Sequence, residues 1–142
     1  DERARRPPWK LREHLDTINA LMAGDDLLDI AKRLRKLQHE DPWLQTAAKT
    51  FAKGAPSSAA LSFALWQRVP RMSLAEVFRL EYWASLGFCA HKDFAEGIRA
   101  VLVDKDRNPR WSPATLEEIT PAFIEDHLRP RGEMAPELVS LA

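Results

Sequence analysis

The sequence predicts an all-α fold, and three observations carry that reading. Apolar residues recur at three- and four-residue spacing over most of the chain, which puts them on one side of a helix. Start signals are frequent: Asp41-Pro42, Ser73-Leu74-Ala75-Glu76, Thr115-Leu116-Glu117-Glu118 and Thr120-Pro121 each place a capping side chain ahead of a helical turn. Strand signals are scarce, and the one strand-like run, Val101-Leu102-Val103, ends a better helical pattern.

Each element follows in turn. The first helix runs from Arg12 to Ala23 and stops at Gly24, a residue free to take the left-handed conformation that ends helices. Asp25 or Asp26 caps the second, whose apolar positions are Leu27, Ile30, Ala31, Leu34 and Leu37; Lys32, Arg33, Arg35 and Lys36 fall mostly opposite. Asp41-Pro42 opens a third with Trp43, Leu44, Ala47, Ala48 and Phe51 on one face, stopped by Gly54. Pro56-Ser57-Ser58 opens a fourth, with Leu61, Ala64 and Leu65 inward, ending before Pro70. The capping box at Ser73 opens the longest helix, with Leu74, Val77, Phe78, Tyr82, Leu86 and Cys89 in register.

Asp93-Phe94-Ala95-Glu96 is a similar start, with Asp93 as the cap, and its helix carries Phe94, Ile98, Val101 and Leu102 on one face. A charged, proline-punctuated loop spans Asp104 to Pro113. A short capped turn follows at Thr115, then a last helix from Thr120 through Leu128, stopped by Pro130 and Gly132. Roughly six to eight amphipathic helices result. Residues 1–13 read as a leader or linker, 14–130 as one helical domain and 131–142 as a mobile tail.

Composition excludes several classes. The 142 residues suit one domain with a real core. Lys plus Arg number 21 and so do Asp plus Glu, so neither a nucleic-acid-coating surface nor an acidic tail is expected. The single cysteine, Cys89, rules out an internal disulfide and fits a reducing compartment. The uncharged run from Gly54 to Trp66 is too short and polar to cross a bilayer. The five glycines are nowhere adjacent and form no phosphate-cradling loop. The chain starts Asp1-Glu2-Arg3, with no signal-peptide pattern and no methionine, and is read as a piece of a longer protein.

The side chains offer little chemistry. No two of His14, His39, His91 and His127 lie three or four residues apart, and Cys89-x-His91 has no further partner at metal-site spacing, so no metal is expected. Cys89 falls on an apolar stripe and reads as an inert buried thiol. Asp25-Asp26 and Glu117-Glu118 sit at helix starts, where they complement the amide dipoles. One segment stands out: Arg99, Lys105, Arg107 and Arg110 surround Trp111. Cations beside an indole suit a phosphorylated adenine nucleotide, with the cations on phosphate and the ring on the base. The alternative is a solvated loop in which Asp104, Lys105, Asp106 and Arg107 pair with one another.

The stretch Asp93-Phe94-Ala95-Glu96-Gly97-Ile98-Arg99-Ala100-Val101-Leu102-Val103-Asp104-Lys105-Asp106-Arg107-Asn108-Pro109-Arg110-Trp111 closely resembles the C-terminal signature of 3-hydroxyisobutyryl-CoA hydrolases, a branch of the enoyl-CoA hydratase/isomerase (crotonase) superfamily. Ser73-Leu74-x-Glu76 with Glu81-Tyr82, Pro56-Ser57-Ser58, and Pro113 to Thr120 resemble the flanking family segments. The resemblance covers roughly Leu15 to Leu128 and is strongest from Ser73 to Thr120.

The resemblance implies the helical C-terminal part of such a protein without its ββα spiral core, which supplies the oxyanion-hole amides and catalytic carboxylates of the family. It therefore assigns no catalytic residue here. It implies hydrolysis of 3-hydroxyisobutyryl-CoA in valine breakdown for the parent enzyme, with this chain alone inactive. The reaction needs no cofactor; its CoA thioester is the substrate. In related hydratases the basic and aromatic residues after this helix approach the adenosine phosphate, which implicates Lys105, Arg107, Arg110 and Trp111 in CoA binding. The implied partners are a crotonase-type N-terminal core or copies of the chain itself, and acyl-CoA, with no nucleic acid and no membrane. The implied location is the cytoplasm, or the mitochondrial matrix in a eukaryote. Two positions depart from the family: Trp83 follows Glu81-Tyr82 where the family usually has arginine, and Ala59-Ala60 follows the proline-serine start where it often has lysine. A hydratase or isomerase, or a non-enzymatic helical interaction module, are the other readings.

Overall fold

The computed structural model describes residues 9–141, so most of the segment read as a leader lies outside the described residues. Those residues are helical and contain no strand. They form two compact units, divided after Lys53.

The first unit holds α1 (Lys10–Glu13), α2 (Leu15–Met22), α3 (Leu27–Arg35) and α4 (Pro42–Lys53). The expected first helix is split, because the chain turns at His14. Gly24 takes a positive φ of 96°, where a glycine bears no Cβ cost. Asp26 is the cap of α3: its Oδ1 accepts from the Leu28 amide at 2.7 Å. Ile30, Ala31 and Leu44 are buried, and α3 packs on both α2 and α4. The Arg33 Nε donates to the Leu21 carbonyl at 2.8 Å and ties α3 to the end of α2.

The second unit holds α5 (Pro56–Arg68), a 3₁₀ turn at Val69–Arg71, α6 (Leu74–Ala90), α7 (Lys92–Ile98), a π-helical turn at Arg99–Val103, a second 3₁₀ turn at Leu116–Glu118, α8 (Pro121–Leu128) and α9 (Pro136–Val139). Both halves of the Ser73 capping box form: the Glu76 amide donates to Ser73 Oγ, and Glu76 Oε2 accepts from the Ser73 amide. Thr120 caps α8 through the Phe123 amide. Thr115 makes no such cap, and Glu118 accepts instead from the Ala114 amide at 3.0 Å. The split at His14 and the short α9 bring the α-helical segments among the described residues to nine.

The core of this unit joins Leu61 of α5, Ala84 of α6 and Leu128 of α8, with Leu65, Leu80, Phe88 and Ile124 packed around them. The α6 stripe read from the sequence is corrected here. The buried residues of α6 are Ala75, Ala84 and Gly87, the last two on the core side with Leu80 and Phe88, whereas Leu74 and Phe78 are 71% and 47% exposed. Gly87 is small because α8 approaches the α6 backbone there: an added Cβ would lie 2.8 Å from the His127 carbonyl carbon. Cys89 is likewise exposed, not the buried thiol expected. Arg79 of α6 donates to the carbonyls of Leu138 and Leu141, which ties α9 to it.

At the α6–α8 junction the buried His127 ring stacks on His91, with centroids 3.6 Å apart. Its Nδ1–H donates to the Phe123 carbonyl at 2.9 Å. Burial holds the His127 pKa below its ordinary value, outweighing that hydrogen bond. The neighbouring Asp126 is drawn down to about 2, chiefly by the Arg129 hydrogen bond and then by Arg131.

Candidate functional site

The site is built on α7, the π-helical turn and the loop after it. Asp93 was expected to cap α7, but His91 holds that place and Asp93 points into the protein. One Asp93 oxygen accepts from the Ser57 hydroxyl at 2.5 Å and the other from the Ser112 amide at 2.8 Å. Asp93 therefore pins the start of α5 and the end of the loop to the start of α7. Nothing in the local pattern Asp-Phe-x-Glu distinguishes this connector from a cap.

Glu96 does a second pinning job. Its two oxygens receive the Arg99 Nε and Nη2 at 2.9 and 2.8 Å, a two-pronged contact one helical turn apart. Oε1 also accepts the Arg110 amide at 2.7 Å. Arg99 and the Arg110 amide hold the Glu96 pKa down to about 2. The Arg99 Nη1 then reaches Asp104 at 2.6 Å and Asp106 at 2.8 Å, and Nη2 meets the Asn108 carbonyl at 3.2 Å. One guanidinium gathers three carboxylates, so Arg99 is not part of a cationic ring around Trp111.

This arrangement separates the alternating charges of the loop. Asp104 and Asp106 turn to Arg99, while the chain at Lys105 and Arg107 takes positive φ angles of 57° and 53°, uncommon for residues other than glycine. Among the described residues, the side chains of Lys105, Arg107 and Arg110 make no hydrogen bond or ion pair, and all three are exposed. The alternative in which the four charges of Asp104 to Arg107 pair with one another is not the arrangement found.

Trp111 is half-buried and turns its indole edge over Gly97, where an added Cβ would meet it at an ordinary 3.5 Å. With Phe88, Phe94, Ile98, Val101 and Leu102 it lines an apolar groove of about 370 Å³. The helix face predicted from Phe94, Ile98, Val101 and Leu102 is real, but it is uncovered: Val101, Leu102 and Val103 are each more than half exposed. The structure thus places Lys105, Arg107 and Arg110 on one loop and Trp111 at its end, against an apolar groove.

The Enoyl-CoA hydratase/isomerase family model matches residues 1–128. The chain belongs to the enoyl-CoA hydratase/isomerase family. Within that family it is 35% identical over 122 residues to the mitochondrial 3-hydroxyisobutyryl-CoA hydrolase of Gallus gallus, a match covering 86% of this chain and 31% of that protein. The Homo sapiens protein of the same name is 32% identical over 86% of this chain and 31% of its own length. The chain therefore spans less than a third of the curated relatives it matches. Two crystal structures share its fold. An enoyl-CoA hydratase from Rhodobacter sphaeroides 2.4.1 superposes with a TM-score of 0.77 at 33% identity, over 89% of this chain and 37% of that one. A carnitinyl-CoA dehydratase from Mycobacterium thermoresistibile gives 0.76 at 34% identity, over 90% and 36%.

Elsewhere in this family member, Glu13, His14 and Asp41 bring three potential metal-ligand atoms within 4.8 Å of one another. The Lys10 ammonium already lies 2.6 Å from Asp41 Oδ2 and 3.4 Å from Glu13, and the His14 Nε2 is 2.8 Å from the same Asp41 oxygen. The cluster is an ion-pair network in which the ammonium takes a cation's place. No helix among the described residues is long and apolar enough to cross a membrane.

Proposed function

We propose that this chain is the CoA-covering and partner-docking helical part of a 3-hydroxyisobutyryl-CoA hydrolase-type enzyme. The observation that carries the reading is the charge separation at the loop: with Asp104 and Asp106 held by Arg99, the Lys105, Arg107 and Arg110 side chains are exposed, without a hydrogen bond or ion pair among the described residues, on the loop that ends at Trp111. Cations in that state suit the phosphates of an adenine nucleotide, and the Trp111 indole suits its base. The names of the curated relatives supply the acyl group.

The parent reaction on this reading is thioester hydrolysis: water adds to the carbonyl, the C–S bond breaks, and 3-hydroxyisobutyrate and CoA leave, a step of valine breakdown in the cytoplasm or the mitochondrial matrix. The oxyanion hole and catalytic carboxylates belong to a crotonase-type core beyond these residues. The uncovered row of Phe94, Ile98, Val101, Leu102 and Val103 is where such a core, or failing it a second copy of the chain, would rest. The likeness to a solved enoyl-CoA hydratase supports a second reading, in which the same helices serve a hydratase or isomerase.

Calorimetric titration of this chain with CoA tests the proposal. Binding is expected, and Lys105→Ala or Arg110→Ala should each weaken it by about tenfold, the worth of one charge-assisted contact. Unchanged affinity in both variants, or turnover of 3-hydroxyisobutyryl-CoA by this chain alone, overturns it.

A further inference from the structure

Arg99 is the side chain in the signature that gathers Glu96, Asp104 and Asp106. It holds Glu96 with two prongs and Asp104 and Asp106 with a third nitrogen. Lys105 and Arg107 alternate with those aspartates in sequence, and opposite charges that close attract one another. The arrangement found avoids that outcome and accepts two positive φ angles to do so.

We propose that Arg99 is a positioning residue that keeps the loop cationic: by holding Asp104 and Asp106 it withholds them from Lys105 and Arg107. The inference rests on the reading that those cations meet the phosphates of CoA. Arg99 itself touches no ligand on this account. Its guanidinium is spent on Glu96, Asp104, Asp106 and the Asn108 carbonyl, and the anion meets the residues that Arg99 leaves unpaired. Removing Arg99 frees two carboxylates beside the binding cations, and the loop neutralises itself.

This account has a signature that a purely structural role lacks: removing the freed acids should undo the damage. CoA affinity is measured by calorimetry at low salt for the whole 142-residue chain. Arg99→Gln should weaken binding by about tenfold, the equivalent of one lost charge-assisted contact. The triple variant Arg99→Gln/Asp104→Asn/Asp106→Asn should return to within about twofold of the parent on the same scale. An asparagine at 106 keeps the Oδ1 that accepts the Asn108 amide, so that turn is retained. Should Arg99→Gln fail to fold by circular dichroism, Arg99→Lys gives the same test, since one ammonium cannot span three carboxylates; its defect should again be relieved by the two asparagines. If Lys105→Ala/Arg107→Ala leaves CoA affinity unchanged, the phosphate reading itself fails. If that pair weakens binding but loss of Arg99 does not, or if the asparagines bring no recovery, Arg99 is not the positioning residue.

Discussion

The His127 carbonyl fills the space where a side chain on residue 87 would project, so α6 and α8 meet backbone to backbone at Gly87. Gly87→Ala would force these helices apart and open the contact among Leu61, Ala84 and Leu128. A loss of about 3 kcal/mol or more is expected in urea unfolding. Gly97 is the contrasting case, since a Cβ there meets only the Trp111 ring edge at ordinary contact distance. Gly97→Ala should unfold at or slightly above the parent's midpoint, because alanine is the better helix former by about 1 kcal/mol. Equal effects at the two glycines would contradict the α6–α8 geometry.

Acid should loosen the same junction. His127 is buried neutral, packed against His91 and near Asp126 and Arg131, and its folded-state pKa lies below the ordinary 6.5. Protonation then favours the unfolded chain, so the stability from His127 is present above pH 6.5 and is lost as pH falls through the lower folded value. Asp126 acts in a lower window: its stabilising charge is present above 3.8 and is lost as pH falls toward about 2. Melting temperatures at pH 7.5 and 5.5 check the first part. The parent should lose more between them than His127→Phe does.

Asp93 should matter to the fold in excess of its size. Asp93→Ala leaves the Ser57 hydroxyl, 2% exposed, without its acceptor and releases the Ser112 amide to solvent. About 1–3 kcal/mol should be lost for the buried Ser57 hydroxyl left without its acceptor. Faster amide exchange at Ser112 would mark the released loop, and protected exchange there would contradict the assignment.

The α6 cap is a more modest element. Ser73→Ala removes one half of the reciprocal pair with Glu76 and should cost about 1 kcal/mol in urea unfolding. A change beyond the error of the measurement in CoA affinity is not expected, because the cap lies outside the groove and the loop.

Helix starts were the most legible feature, because a cap is a local contract between a side chain and amides two or three residues away. Asp26, Asp41, Ser73 and Thr120 each accept such an amide. Burial was less legible. Counting large apolar residues selected Leu74 and Phe78, whereas the core side of α6 sets Leu80 and Phe88 beside Ala84 and Gly87, with Gly87 small enough to admit another helix. The candidate site was legible as a composition of cations and an indole. Its wiring was not: Asp93 reaches Ser57, 36 residues earlier, and Glu96 reaches the Arg110 amide, 14 residues later. Periodicity carries no record of such distant partners.

The π-helical turn at Arg99–Val103 is wider than the helix that precedes it. The Asp104 amide donates to the Arg99 carbonyl at 2.8 Å, five residues back, so this turn holds one residue more than an α-helical turn would. Deleting a single residue such as Leu102 would let the turn close as ordinary α-helix. Residues downstream would stay close to their place around the helix axis, because the wide turn takes up the extra residue; removing a residue from an α-helical turn would instead rotate them by about 100°. The wide turn thus carries one more residue than an α turn while Asp104 and Asp106 stay within reach of Arg99.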